Sequence, residues 1–147
     1  IVGILIILGT IATLAFQGFR KESDLTNSAE EIINTLRLAQ NNTLASEGAS
    51  QWGVYFTTST SPHQYVLFKG SSYDLRDIPF DEVHKLARSV EIYELNFGGL
   101  ATSSIVFERI TGAVLATGTQ TVSLKLKANP SKTRTIYIEI SGQVGLE

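Results

Sequence analysis

The sequence predicts an α+β fold in which one long amino-terminal helix protrudes over its apolar half and lays its amphipathic half on an antiparallel β-sheet. Three observations carry this reading: an uncharged apolar run from Ile1 to Phe19, apolar residues at three- and four-residue steps from Leu25 to Leu44, and a switch to period-two β-branched and aromatic runs from Trp52 onward. The 147 residues suffice for one modest core. The chain therefore divides into residues 1–24, the protruding or transmembrane helix half, and residues 25–147, one globular domain with helix over about 25–46 and sheet over about 52–147.

The first run, IVGILIILGTIATLAFQGF, has the length and composition of a bilayer-spanning helix. A secretory signal places its basic residues before the apolar core and a small-residue cleavage site after it. Here the order is reversed, with Arg20, Lys21, Glu22 and Asp24 closing the run, so a retained membrane helix is expected. The alternative of a buried core helix fits poorly with a run apolar on all faces. Gly3, Gly9, Gly18, Thr10 and Thr13 interrupt the aliphatic residues, and small residues let helices approach closely in an apolar medium. Gly9 and Gly18 are the expected loosening sites, since each glycine costs about 1 kcal/mol of helix propensity relative to alanine.

Beyond Asp24 the pattern becomes one-sided. Leu25, Ala29, Ile32, Ile33, Leu36, Ala39 and Leu44 form the apolar stripe; Glu22, Asn27, Glu30, Glu31, Asn34, Gln40 and Asn41 form the wet face, and Gly48 supplies a stop. A single helix from Ile1 to about Ser46 would be ~70 Å long. A rival reading starts a second helix at Ser28, where Ser28 and Glu31 fit a capping box.

Trp52–Thr57 and Gln64–Lys69 read as a hairpin around the Ser/Thr/Pro-rich segment 58–63. Gly70 to Leu86 reads as loop with a short helical turn around Asp81 to Ala87. Ser89–Leu95, Ser104–Glu108, Thr121–Lys127 and Arg134–Ile140 read as further strands, with turns at 96–99, 111–112, 118 and 129–130, and a short last segment over Gln143–Glu147. Some six antiparallel strands result, covered on one side by the helix and wet on the other.

Composition excludes more than it assigns. The net charge of −2 implies neither a nucleic-acid partner nor an acidic substrate. Without cysteine there is no disulfide framework and no thiolate metal site. Methionine is also absent, which leads us to expect a true start upstream of Ile1. His63 and His84 are scattered among polar residues, and no nucleophile elbow, phosphate loop or paired-histidine motif occurs, so no catalytic residue, metal ligand or cofactor is assigned and an enzyme is not expected. Asp74, Asp77 and Asp81 bring calcium to mind, but their spacing matches no metal loop and Arg76 intrudes. Lys125, Lys127, Lys132 and Arg134 offer phosphate contacts for DNA, against the commoner reading of lysines as guards of an exposed strand edge. The sequon Asn41–Thr43 lies in the expected helix and is not expected to carry a glycan.

These residues resemble the type IV pilins and type II secretion pseudopilins. The resemblance rests on Ile1 to Phe19 running without a break into an amphipathic helix, and on LGTIATLAF from Leu8 to Phe16. In the globular part, LRLAQNNTLASEGASQWGVYF (Leu36 to Phe56), SSIVFERITGAVLATG (Ser103 to Gly118) and RTIYIEISGQV (Arg134 to Val144) are similar to the GspH/FimT-like branch. The family's assembly glutamate would fall immediately before Ile1, and the proline that commonly kinks its rod is absent.

The resemblance implies a structural subunit that polymerises into a helical filament, a surface appendage for adhesion, motility or DNA uptake. It implies filament-core packing through Ile1, Val2, Ile4, Leu5, Ile7, Leu8, Ile11, Leu14 and Phe16. Implied partners are copies of the chain itself, the inner-membrane pilus or secretion machinery, a prepilin peptidase acting on the precursor, the lipid bilayer before assembly and, less readily, DNA; no cofactor is implied. The expected location is the cytoplasmic membrane before assembly and an extracellular pilus after it, with methylation of the mature amino terminus. A minor pilin or secretion pseudopilin is the alternative, and a single-pass membrane-anchored sensor or binding module the more distant one.

Overall fold

A computed structural model describes residues 1–99 and 102–147, without the side chains of Leu14 and Glu47. A single helix, α1, spans Val2–Leu44, 43 residues or ~65 Å at 1.5 Å per residue. It passes through Ser28 without interruption, and Ser28 is buried inside it. The capping-box start is thereby excluded: the side chain that would have capped a second helix faces the domain interior instead.

Leu25, Ala29, Ile32, Ile33, Leu36 and Ala39 are all buried, as the stripe predicts, whereas Leu44 is exposed at the helix end. Thr43 anchors that end. Its hydroxyl donates to the Ala39 carbonyl at 2.7 Å and accepts the Trp52 amide at 2.9 Å, tying the last helical turn to the first strand. Ser46, Gly48 and Ala49 then turn the chain through the left-handed region, where glycine is the least strained residue.

Among the described residues eight strands follow, not six, and they form two sheets. They are β1 (Trp52–Thr57), β2 (Gln64–Lys69), β3 (Glu82–Lys85), β4 (Val90–Asn96), β5 (Ser104–Val106), β6 (Gln120–Leu126), β7 (Thr133–Ile138) and β8 (Val144–Leu146). One sheet has the order β3-β2-β1-β5 and the other β4-β6-β7-β8; each described pairing is antiparallel. The core-facing residues of both sheets, among them Val54, Phe56, Leu67, Val122, Leu124, Ile136 and Ile138, join the helix stripe in one cluster. One helix face thus seals both sheets.

Two expectations are corrected. The helical turn over Asp81 to Ala87 is instead a single 3-10 turn at Ile78–Phe80 followed by strand β3, which pairs with β2 through Val66↔Val83 and Tyr65↔His84. The far face of the first sheet is covered rather than wet. Tyr73, in the loop after β2, stacks on Tyr55 with ring centroids 3.8 Å apart and meets Phe68 edge-on; Arg76 lies 3.9 Å over the Tyr73 ring and pairs with Asp81 at 2.7 Å. The loop supplies that face with the aromatic partners its side chains need to leave water.

Candidate functional site: the bare rod and the base of the domain

The candidate site has two parts, both set by α1. The first is Val2 to Phe19. Its 18-residue apolar window has a mean hydropathy of 2.0 and none of its described side chains is buried. Ile1, Val2, Ile4, Leu5, Ile7, Leu8, Ile11 and Phe16 are all exposed, while Leu14 falls outside the described side chains. The eight described residues of that set therefore make no common core within one chain. They are an unsatisfied apolar surface.

The two threonine hydroxyls of this rod are satisfied internally. Thr10 Oγ1 donates to the Ile7 carbonyl at 2.8 Å, and Thr13 Oγ1 to the Thr10 carbonyl at 2.8 Å. Such back-bonding lets a hydroxyl enter an apolar medium without an unpaired donor. The helix continues through Gly9 and Gly18, and nothing among the described residues lies within 4 Å of a Cβ built at either. Each glycine leaves a notch open to a neighbour.

The second part is the base of the domain, where the rod emerges. Asp24 accepts a hydrogen bond from the Ser89 hydroxyl at 2.8 Å, and Glu22 pairs with Lys132 at 3.3 Å. The four cations singled out from the sequence do not form one patch. Arg134 stands opposite Leu124 in register, so it points to the helix side and lines a groove with Phe19, Glu22 and Thr26. Lys125 projects from the opposite face of β6, and Lys127 follows that strand's end. There Lys125 pairs with Glu91 at 3.3 Å, and Lys127 lines a cleft with Ser61, Pro62 and Arg88.

Four of the remaining chemical candidates have structural partners, and Asp74 is exposed. His63 Nδ1 accepts the Ile92 amide at 3.0 Å. His84 stacks on Tyr65, centroids 5.0 Å apart. Asp81 is engaged by Arg76 and Asp77 by Lys69, and no cluster of metal-ligating side chains occurs among the described residues. The Tyr65 oxygen is sealed from solvent without a hydrogen bond of good geometry. Burial pushes its ionisation up to about 12, against the pull of the Thr35 hydroxyl and with the Glu31 carboxylate adding to the rise. Sequence reasoning missed this group because the β2 pattern marks Tyr65 only as one more core-facing aromatic.

No family model matches the chain, and no curated protein does. Solved structures do. The fold is similar to that of the type IV minor pilin FimU of Pseudomonas aeruginosa (TM-score 0.66, 14% identity, 88% of this chain and 92% of that one). It is also similar to that of the minor pseudopilin EpsH from the type 2 secretion system of Vibrio cholerae (TM-score 0.63, 15% identity, 84% of this chain and 96% of that one). The chain has the pilin and pseudopilin fold.

Proposed function

We propose that this chain is a structural subunit that polymerises through its apolar amino-terminal helix into a type IV pilus filament. The single observation that carries the reading is that the described side chains of α1 are bare over Val2–Phe19, whereas one face of the same helix is buried from Leu25 to Ala39. One half completes the domain's own core; the other is stiffly joined to it and must be covered by something else. Before assembly the cover is lipid, with the rod as a single-pass anchor in the cytoplasmic membrane. After assembly it is the rods of other copies, and the apolar surface stays out of water in both states. Ile1, Val2, Ile4, Leu5, Ile7, Leu8, Ile11, Leu14 and Phe16 supply the packing, and Gly9 and Gly18 are the sites at which the rod loosens or a neighbour approaches. The assembly machinery and a prepilin peptidase are the partners this reading requires, and the protein is not an enzyme. DNA contact by Lys125, Lys127, Lys132 and Arg134 loses support as a single patch, because Lys125 and Arg134 project from opposite faces of their sheet.

A second reading, a minor pilin or secretion pseudopilin, is favoured by the names of the structural neighbours. Imaging of native filaments with identification of their most abundant chain separates the two. Ile7→Lys tests both. Assembly should stop while the domain from residue 25 onward stays folded, and normal filaments from that variant would refute the packing role of the rod. A discrete monomer or dimer in detergent and no filament under any condition would point instead to a membrane-anchored sensor.

A further inference from the structure

The charges of this chain are sorted along its axis. Asp24–Ser89 and Glu22–Lys132 fix the base of the domain just above Phe19. The Gln40–Gly112 and Thr43–Trp52 contacts fix the opposite end. Arg20, Lys21, Arg88, Lys127, Lys132 and Arg134 all lie at or just below the base. The cleft of Arg88 and Lys127 reaches it through Ser89, whose carbonyl accepts the Lys127 amide at 3.0 Å. Against them stand Glu22, Asp24 and Glu147, with Glu91 already held by Lys125. Yet the chain as a whole carries more acids than bases, 14 against 12. The base is net positive and the rest of the domain net negative.

Among the described residues neither Arg88 nor Lys127 meets a carboxylate within ion-pair distance. Both are exposed, as are Arg20 and Lys21. Ile1 to Phe19 spans ~28 Å as a helix, close to the ~30 Å of bilayer hydrocarbon. With that stretch in lipid, Arg20 and Lys21 stand at the headgroup level and the base of the domain sits immediately above.

We infer that this positive collar, Arg20, Lys21, Arg88, Lys127, Lys132 and Arg134, binds the anionic headgroups of the membrane in which the rod waits, seating the domain against phosphatidylglycerol-type lipid. The inference rests on the proposed membrane-resident state of the rod. Rod burial alone gives no preference among headgroups, whereas the collar favours anionic ones and loses that preference as salt screens it. A nucleic-acid backbone offers similar phosphates, but the cations around the rod's exit match a surface perpendicular to the rod.

The test uses the full chain with Ala128→Cys, exposed just past the end of β6, as its one cysteine, labelled there and reconstituted in vesicles of phosphatidylcholine and phosphatidylglycerol. Energy transfer to a trace of headgroup-labelled lipid of either kind reports which one surrounds the base. The expected exchange constant favours phosphatidylglycerol by about fivefold per seated cation. It should fall towards one in ~1 M salt, where the Debye length is ~3 Å, and fall strongly in Arg88→Gln/Lys127→Gln. Arg109→Gln, at the opposite end, should leave it unchanged, and unaltered melting of each variant shows that folding is not the cause. Equal transfer to both lipids, or a preference indifferent to salt and to the double substitution, overturns the collar. Displacement of phosphatidylglycerol by duplex DNA at the same salt overturns it in favour of nucleic acid. Failure to float with vesicles of either composition is a separate readout, and it refutes the membrane-resident rod and the collar together.

Discussion

His63 and Ile92 join the two sheets: the imidazole Nδ1 at the end of the β1–β2 hairpin accepts the backbone amide of β4 at 3.0 Å. The His63 carbonyl also accepts the Leu86 amide at 2.9 Å. β4 is an edge strand of its sheet, so the imidazole supplies an acceptor that no strand provides on that side.

Removing that acceptor leaves a largely buried amide unpaired, at a cost of about 1–2 kcal/mol. His63→Ala should therefore lower the melting temperature by several degrees. His63→Asn, whose side-chain oxygen sits close to the Nδ1 position, should recover much of the loss. Equal destabilisation by both substitutions would mean that ring packing, not the bond, is what His63 contributes.

Tyr65 makes the domain sensitive to alkali. Its folded-state ionisation is pushed up to about 12 by burial, against about 10 in an unfolded chain. A raised value means that the contribution is fully present below pH 10 and is lost as pH rises from 10 through 12. The two-unit difference amounts to about 3 kcal/mol. Denaturation midpoints should fall over that interval. Tyr65→Phe should flatten the fall and cost little at neutral pH, because the hydroxyl it deletes has no good hydrogen bond. An identical alkaline profile in wild type and Tyr65→Phe would assign the sensitivity to another group.

Gly53 marks a tight crossing in the first sheet. A Cβ there would sit 2.5 Å from the Ile105 carbonyl oxygen and 2.8 Å from Phe68 Cζ, since β1 is flanked by both β2 and β5 and Gly53 pairs with Phe68 and Val106. Gly53→Ala should destabilise by about 1–3 kcal/mol through overpacking. Adding Phe68→Leu should not restore it, because the backbone obstacle remains. Full recovery in the double variant would show that only the ring is in the way.

That crossing shows which parts of the molecule were legible in the sequence. Trp52–Thr57 and Gln64–Lys69 match β1 and β2 to the residue, because their β-branched and aromatic runs are bounded by a polar turn. The buried helix stripe from Leu25 to Ala39 was equally plain, a period-3.6 pattern needing no tertiary information. Glu82–Lys85 was not legible. It is a short polar edge strand, exposed at Glu82, Val83 and Lys85, and it exists because β2 offers it a partner. The stacking of Tyr73 on Tyr55 was hidden for the same reason, since it joins residues whose neighbourhood only the folded sheet creates. In the candidate site, the bare rod was read directly from its composition. The sorting of charges towards the base was not, because it depends on which strand ends meet Asp24 and Glu22.

The rod glycines give a prediction of opposite sign in two states. In the free chain nothing among the described residues lies within 4 Å of a Cβ at Gly9 or Gly18, so Gly9→Ala and Gly18→Ala should each strengthen the helix by about 1 kcal/mol. Membrane insertion should persist or improve. In a filament of packed rods the same methyl groups would fill the notches through which neighbouring backbones approach, or stiffen sites that must loosen, and filament yield should fall. Helicity of the chain in detergent and filament counts by microscopy measure the two effects separately. If both substitutions raise helicity and leave filaments unchanged in number and diameter, the glycines have no role in packing, and the contact surface must lie among the aliphatic residues alone.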